Sequence, residues 1–177
     1  VFATTIRRTR RMNPACTIEV LIPDFEGDPD ALATVCAEKP EILNHNIETV
    51  PRLYRTVRPG AQFKRSLTIL KHAKKTQPSV RTKSGLMVGL GETAQEIYEL
   101  MDRLREVDCE IMTIGQYLRP TEKQLPVKRF ITPEEFAEYQ AVGLKKGFLH
   151  VESGPLVRSS YHAWHHAEES ERRAKTA

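Results

Sequence analysis

The residues best suited to chemistry are spread along the chain. The stretch 82–92 reads Thr-Lys-Ser-Gly-Leu-Met-Val-Gly-Leu-Gly-Glu, and a capping box, Thr93-Ala-Gln-Glu96, follows it. A short apolar run, a turn at Gly89 and Gly91 and a helix start make a layout that can hold an anionic or polar cofactor against free backbone N–H groups. It is not a P-loop, because no Lys-Ser or Lys-Thr follows the second glycine. It is not a dinucleotide fingerprint, because the third glycine is missing. A tight turn that needs glycine for φ > 0 accounts for the same letters. Lys83 has the side chain for a Schiff base, which requires a desolvated amine. His162, His165 and His166 have metal-like spacing, but they lie in a polar tail with no cysteine nearby. Cys16, Cys36 and Cys109 form no C-x-x-C pair, so they give neither a disulfide framework nor a metal knuckle, and a reducing compartment fits them.

Helices and strands must position these groups. Residues 2–13 have helical character and end before Pro14. Residues 17–22 are a β-rich run stopped by Pro23. Residues 30–38 read as a helix capped by Asp28, with Pro29 in the first turn. Residues 41–44 make a short strand, and a short helix begins at 49–54. A basic amphipathic helix over 66–77 ends at Pro78, and a strand follows within 79–88. Ile97, Leu100, Met101, Leu104 and Val107 recur at helical spacing over 94–107. Residues 110–114 form a strand closed by Gly115. Thr132-Pro133-Glu134-Glu135 caps a helix that ends near Gly147. Residues 148–151 form the last strand, and from Trp164 the chain is polar and expected to fray.

Alternating strands and helices predict an α/β fold with a parallel sheet. Five strands are too few for an eight-stranded barrel, and the first helix has no strand before it. A partial TIM-type barrel with its first βα units missing explains both facts. Sites in such barrels lie at the C-terminal ends of the strands. That directs attention to Asp24, to Asn44 through Thr49, to Gly89 through Glu92, to Gly115 through Tyr117 and to Glu152 through Pro155. Glu48 suits a ribose diol, because one carboxylate can accept two hydroxyl hydrogen bonds.

The 177 residues are 40% hydrophobic and 28% charged, the composition of one ordinary globular domain. No apolar run approaches the roughly 20 residues of a membrane span, so no membrane role is expected. The net charge of +4 is mild. Arg7, Arg8, Arg10 and Arg11 fit a solvated helix face or a patch for an acidic protein, and no motif supports a nucleic-acid partner.

Five stretches resemble, in the same order, those of the lipoyl synthase family of radical S-adenosylmethionine enzymes. They are 18–25 (Ile-Glu-Val-Leu-Ile-Pro-Asp-Phe), 44–50 (Asn-His-Asn-Ile-Glu-Thr-Val), 82–92, 115–120 (Gly-Gln-Tyr-Leu-Arg-Pro) and 153–163 (Ser-Gly-Pro-Leu-Val-Arg-Ser-Ser-Tyr-His-Ala). The resemblance implies a partial (βα)6 radical-SAM barrel over 1–163, followed by a charged tail over 164–177. It implies two 4Fe–4S clusters, one that cleaves S-adenosylmethionine and an auxiliary one that gives up sulfur. The implied reaction inserts sulfur at C6 and C8 of an octanoyl chain on a lysine of a lipoyl carrier protein, after a 5′-deoxyadenosyl radical removes hydrogen from each carbon. An electron donor such as ferredoxin or flavodoxin follows. The compartment would be the bacterial cytoplasm, or a mitochondrion or plastid.

By the same resemblance Ser160 is the unusual serine ligand of the auxiliary cluster. Asn46 and Glu48 lie where the family approaches the nucleoside of S-adenosylmethionine, and the Gly89–Gly91 turn neighbours its adenine or methionine part. The family's C-x-x-x-C-x-x-C motif and its second cysteine triplet are absent and are expected upstream of Val1. Cys16, Cys36 and Cys109 then read as buried small apolar residues. This polypeptide alone is expected to be inactive and to expose an unpaired sheet edge. Two other readings compete: a Schiff-base aldolase-type barrel using Lys83, and a basic binding module using Arg7 to Arg11.

Overall fold

The structure, a computed structural model, describes residues 1–160. Five strands form a single parallel sheet in strict chain order: β1 (Glu19–Leu21), β2 (Ile42–Asn44), β3 (Arg81–Val88), β4 (Ile111–Gln116) and β5 (His150–Gly154). Helices α1 (Phe2–Met12), α2 (Pro29–Cys36), α3 (Tyr54–Val57), α4 (Phe63–Thr76), α5 (Ala94–Arg105) and α6 (Pro133–Lys145) accompany them. A doubly wound sheet reverses its strand order part-way; here each strand pairs with the next in sequence. The fold is a partial α/β barrel of the TIM type.

The helices begin where their capping residues dictate. Asp28 accepts from the amides of Asp30 and Ala31 at the start of α2. Thr93 and Thr132 each complete a capping box, with Glu96 and Glu135, so α5 and α6 have satisfied first turns. α5 turns Ile97, Leu100, Met101 and Leu104 onto Leu86, Val88, Met112 and Ile114 of the sheet. Each such side chain stabilises the packing by roughly 1.5–3 kcal/mol on full burial. A second cluster joins Ile6 of α1, Leu32 and Val35 of α2 and Ile69 of α4 to Val20 and Leu43. Because strand side chains alternate, Lys83, Gly85 and Met87 face away from these helices. Gly85 is in register with Thr113, and Met87 with Gly115.

The elements depart from expectation in three places. β4 runs through Gly115 to Gln116, because its ladder with Met87 and Val88 continues. β5 likewise carries Glu152 and Ser153 within the strand rather than after it. α4 begins at Phe63, whose ring packs edge-on against Tyr54 at 5.5 Å. Cys36 and Cys109 are buried as small apolar residues, whereas Cys16 is half-buried; all three are free thiols. The basic face of α1 is partly consumed by the fold: Arg7 pairs with Glu38, and Arg10 with Glu41 at 2.8 Å. That leaves Arg8 and Arg11 as the exposed cations of α1 outside these two ion pairs, a weak basis for a binding module. No helix among the described residues is long and apolar enough to cross a membrane.

Candidate functional site

A pocket of about 250 Å³ opens at the C-terminal ends of the strands. Asn46 and Glu48 form part of its wall, Gly85, Met87, Thr113 and Gly115 come from β3 and β4, and Val157, Arg158 and Ser159 come from the turn after β5. Both Asn46 and Glu48 sit on the segment after β2, which is pinned residue by residue. His45 meets the Ile22 carbonyl through Nδ1 (3.0 Å) and the Ser66 hydroxyl through Nε2 (2.9 Å). The Ile47 amide donates to Ser84 Oγ (3.0 Å), and the Tyr54 hydroxyl donates to the Ile47 carbonyl (2.8 Å). Arg58 Nη1 donates to the Asn46 carbonyl (3.1 Å). Glu48 adopts φ 67, in the left-handed region that a non-glycine residue seldom enters. Its backbone is locked there by bonds on both sides, from its own amide to Gly85 (2.9 Å) and from the Met87 amide to its carbonyl (2.9 Å). Strain held by surrounding bonds at a pocket wall is a mark of function.

The polar side-chain groups of Asn46 and Glu48 lack hydrogen-bond partners among the described residues. Asn46 Oδ1 is buried and has no hydrogen-bond partner. The Glu48 carboxylate accepts no hydrogen bond from the described residues. Opposite them the floor is thinned by glycine. A Cβ on Gly85 would stand 2.7 Å from Asn46 Oδ1, and one on Gly115 would stand 2.2 Å from the Val157 carbonyl oxygen. Glycine inside a strand often marks close approach of another group. Gly85 was the missed signal in the sequence, and Gly115, singled out there as a strand-end residue, lies inside β4.

Gly89 and Gly91 do not line this pocket, and Gly91 lines a separate groove with Arg52, Leu53 and Lys128. Both have positive φ, +100 and +107, as the simple turn requires. The amides of Gly89 and Leu90 both donate to the carboxylate of Glu92, the latter at 3.0 Å. The N–H groups that would have held an anion are taken by the chain's own carboxylate, whose charge would repel one. The Gly89 carbonyl is also taken, by the Lys128 amide at 2.8 Å.

Lys83 meets one Schiff-base requirement and fails the other. It is fully buried, and burial pushes its pKa down against the opposing effect of Glu19. But its ammonium is held 3.0 Å from the Glu19 carboxylate, itself bound by Asn44 Nδ2 at 3.1 Å, and Lys83 is not on the pocket wall. A carbonyl substrate has no approach to it.

Ser160 is exposed and ends the described residues, one position beyond the pocket-lining Ser159. His162, His165, His166 and the 164–177 tail lie outside the described residues. Among the described residues no group of three or more His, Cys, Asp or Glu could hold a metal ion. The Cys109 sulfur points at the carbonyls of Thr82 and Ile111, and burial pushes its pKa up to about 12. These residues do not fit a 4Fe–4S cluster, which takes thiolates.

Residues 2–104 match the family model described as the radical SAM superfamily. The chain belongs to the radical SAM superfamily. Its similarity to individual members of that superfamily extends further. It is 59% identical over 174 residues to the lipoyl synthase of Rubrobacter xylanophilus, covering 98% of this chain and 54% of that protein. It is 57% identical over 166 residues to the lipoyl synthase of Chloroflexus aurantiacus, covering 94% and 54%. The chain thus spans about half the length of the curated relatives it matches. Among solved structures, methylornithine synthase superposes with a TM-score of 0.63 at 16% identity, over 86% of this chain and 51% of that one. That likeness shows a shared fold.

Proposed function

We propose that the chain supplies the S-adenosylmethionine-facing wall of a lipoyl synthase. Two sulfur atoms are inserted at C6 and C8 of an octanoyl group carried on a lysine of a carrier protein. S-adenosylmethionine, when bound, supplies the group that abstracts hydrogen from the acyl carbons. The observation that carries the reading is Asn46: a buried amide oxygen without a partner, facing a glycine floor, in a chain this similar to lipoyl synthases. An unsatisfied buried acceptor costs about 1–3 kcal/mol until a ligand donates to it.

The roles then follow from chemistry. Asn46 Oδ1 accepts from an N–H of the ligand. The Glu48 carboxylate accepts from the two ribose hydroxyls. Gly85 and Gly115 leave room for the Asn46 side chain and the Val157 carbonyl to close over the strands. Met87 and Leu118 supply apolar walls that exclude water. Ser160 offers a hydroxyl to an auxiliary cluster, and the described residues bring no group of three or more His, Cys, Asp or Glu together to hold one. The electron donor is of the ferredoxin or flavodoxin kind, and the place of action is the bacterial cytoplasm, a reading supported by the bacterial origin of the similar proteins.

The test is an anaerobic assay of the complete gene product with an octanoyl-lysine peptide. Lipoyl peptide is the expected product. Asn46→Ala and Glu48→Gln are expected to raise KM for S-adenosylmethionine by about tenfold, the loss of one hydrogen bond to a buried or charged group. A product without sulfur, or variants with unchanged KM, would refute the reading.

A further inference from the structure

The surface around the pocket mouth is built, and the roles above leave it unused. The connection between β4 and α6 has no helix or strand, yet it is held by its own bonds. The Tyr117 hydroxyl donates to the Leu125 carbonyl (2.9 Å), and Arg119 Nε donates to the Gln124 carbonyl (2.9 Å). The Ile131 amide donates to Gln116 Oε1 (2.9 Å). Long ordered loops of this kind are commonly functional. Tyr117, Leu118 and Pro120 form one edge of the pocket.

Two properties of this rim point to a protein partner. The first is apolar exposure: Leu118, Phe130 and Leu156 are 47%, 69% and 74% exposed, three of the seven large exposed hydrophobics among the described residues. The second is charge. Residues 117–130 and 155–160 hold five of the chain's 27 cations and one of its 23 anions. These two segments therefore carry a local net charge of +4. Arg129 is paired with Glu135 at 2.7 Å, but the ammonium groups of Lys123 and Lys128 meet no carboxylate among the described residues. Beside the loop lies a groove of about 400 Å³ that includes Leu53, Val57, Leu90, Leu125 and Lys128. Its segments follow β2, β3 and β4, so it opens on the same face of the barrel as the pocket.

We propose that this face docks an acidic carrier domain. The pocket mouth receives the acylated lysine that the carrier presents, and the groove receives one of its apolar side chains. The inference rests on the lipoyl synthase reading. An acyl chain on a lysine cannot enter the pocket unless the folded carrier comes within a side chain's reach of the rim. A rim with a local net charge of +4 selects a carrier of negative charge and accelerates its encounter in a salt-dependent way.

The experiment uses the complete gene product with its clusters assembled, and the Lys123→Glu/Lys128→Glu double variant. Two substrates are compared: an octanoylated carrier domain of net negative charge, and an octanoyl-lysine tripeptide. The double variant is expected to raise KM for the carrier about tenfold at low salt and to flatten its salt dependence, with tripeptide turnover unchanged. The milder Lys123→Gln/Lys128→Gln variant should fall between. Equal changes with both substrates, or no change with either, would overturn the proposal. So would loss of inhibition by polyuridylate with an unchanged carrier KM, which would assign the rim to nucleic acid. If wild type makes no lipoyl product from either substrate, the underlying reading fails instead.

Discussion

His45 fixes the segment that carries Asn46 and Glu48, and its protonation state is set by its partners. The Ile22 carbonyl can only accept, so Nδ1 carries the proton and Nε2 accepts from the Ser66 hydroxyl. The ring is 2% exposed. Burial pushes its pKa down, Arg58 and Arg65 add to this, and Asp24 and the bond to Ile22 oppose it. In the unfolded chain an imidazole takes up a proton near pH ~6.5, whereas the folded ring stays neutral below that. As pH falls through this window the unfolded state binds more protons, so stability is lost from about pH 6.5 down to the depressed folded value. The urea midpoint is therefore expected to be lower at about pH 5.5 than at about pH 7.5. Carboxylates with lowered pKa, such as Glu41 and Glu96, act in a more acidic range. A His45→Phe variant should be less stable at about pH 7.5 but nearly flat between the two conditions. A wild-type midpoint that does not move across that interval would contradict the assignment.

The turn joining β3 to α5 depends on one carboxylate. Glu92 is 7% exposed and receives the amides of Gly89 and Leu90. Glu92→Ala would leave both amides without an acceptor in a buried place, at a cost of about 2 kcal/mol. Glu92→Gln keeps one acceptor oxygen and should lose less. Stability measured by urea unfolding should rank wild type, Gln, Ala. Because the Lys128 amide bonds the Gly89 carbonyl, its hydrogen exchange should quicken in the same order. An alanine variant as stable as the glutamine one would count against the argument. The same turn shows what the letters could and could not tell. The glycines, the capping box of Thr93 and the helix of Ile97 to Leu104 were all legible, since each depends on neighbours in sequence. The occupant of the turn's amides was not: Glu92 has the same letter whether it points at solvent or back at Gly89. Asn46 and Glu48 could be placed beside a site because strand ends in barrels face one way. Gly85 escaped, because its reason for being glycine lies across space, at Asn46.

At the scale of the whole molecule, the thiols and the sheet edges make one prediction together. A 4Fe–4S cluster needs several thiolates converging within a few ångströms. Cys36 lies in the core cluster around α2 and β1, and Cys109 in the other cluster between α5 and β4. Burial raises both thiols out of the range where thiolate forms near neutral pH, Cys109 to about 12. Bringing them together would require dismantling both cores. Among the described residues β1 pairs only with β2, and β5 only with β4, so each leaves a row of unpaired backbone groups. The 177-residue chain, purified alone and incubated anaerobically with iron and sulfide, is therefore expected to give no stoichiometric 4Fe–4S chromophore. It is also expected to self-associate through these edges. A Cys36→Ala/Cys109→Ala variant should behave the same way in the reconstitution. A stable cluster at one per chain, lost in that variant, would show that the two cores open and that the thiols are available after all.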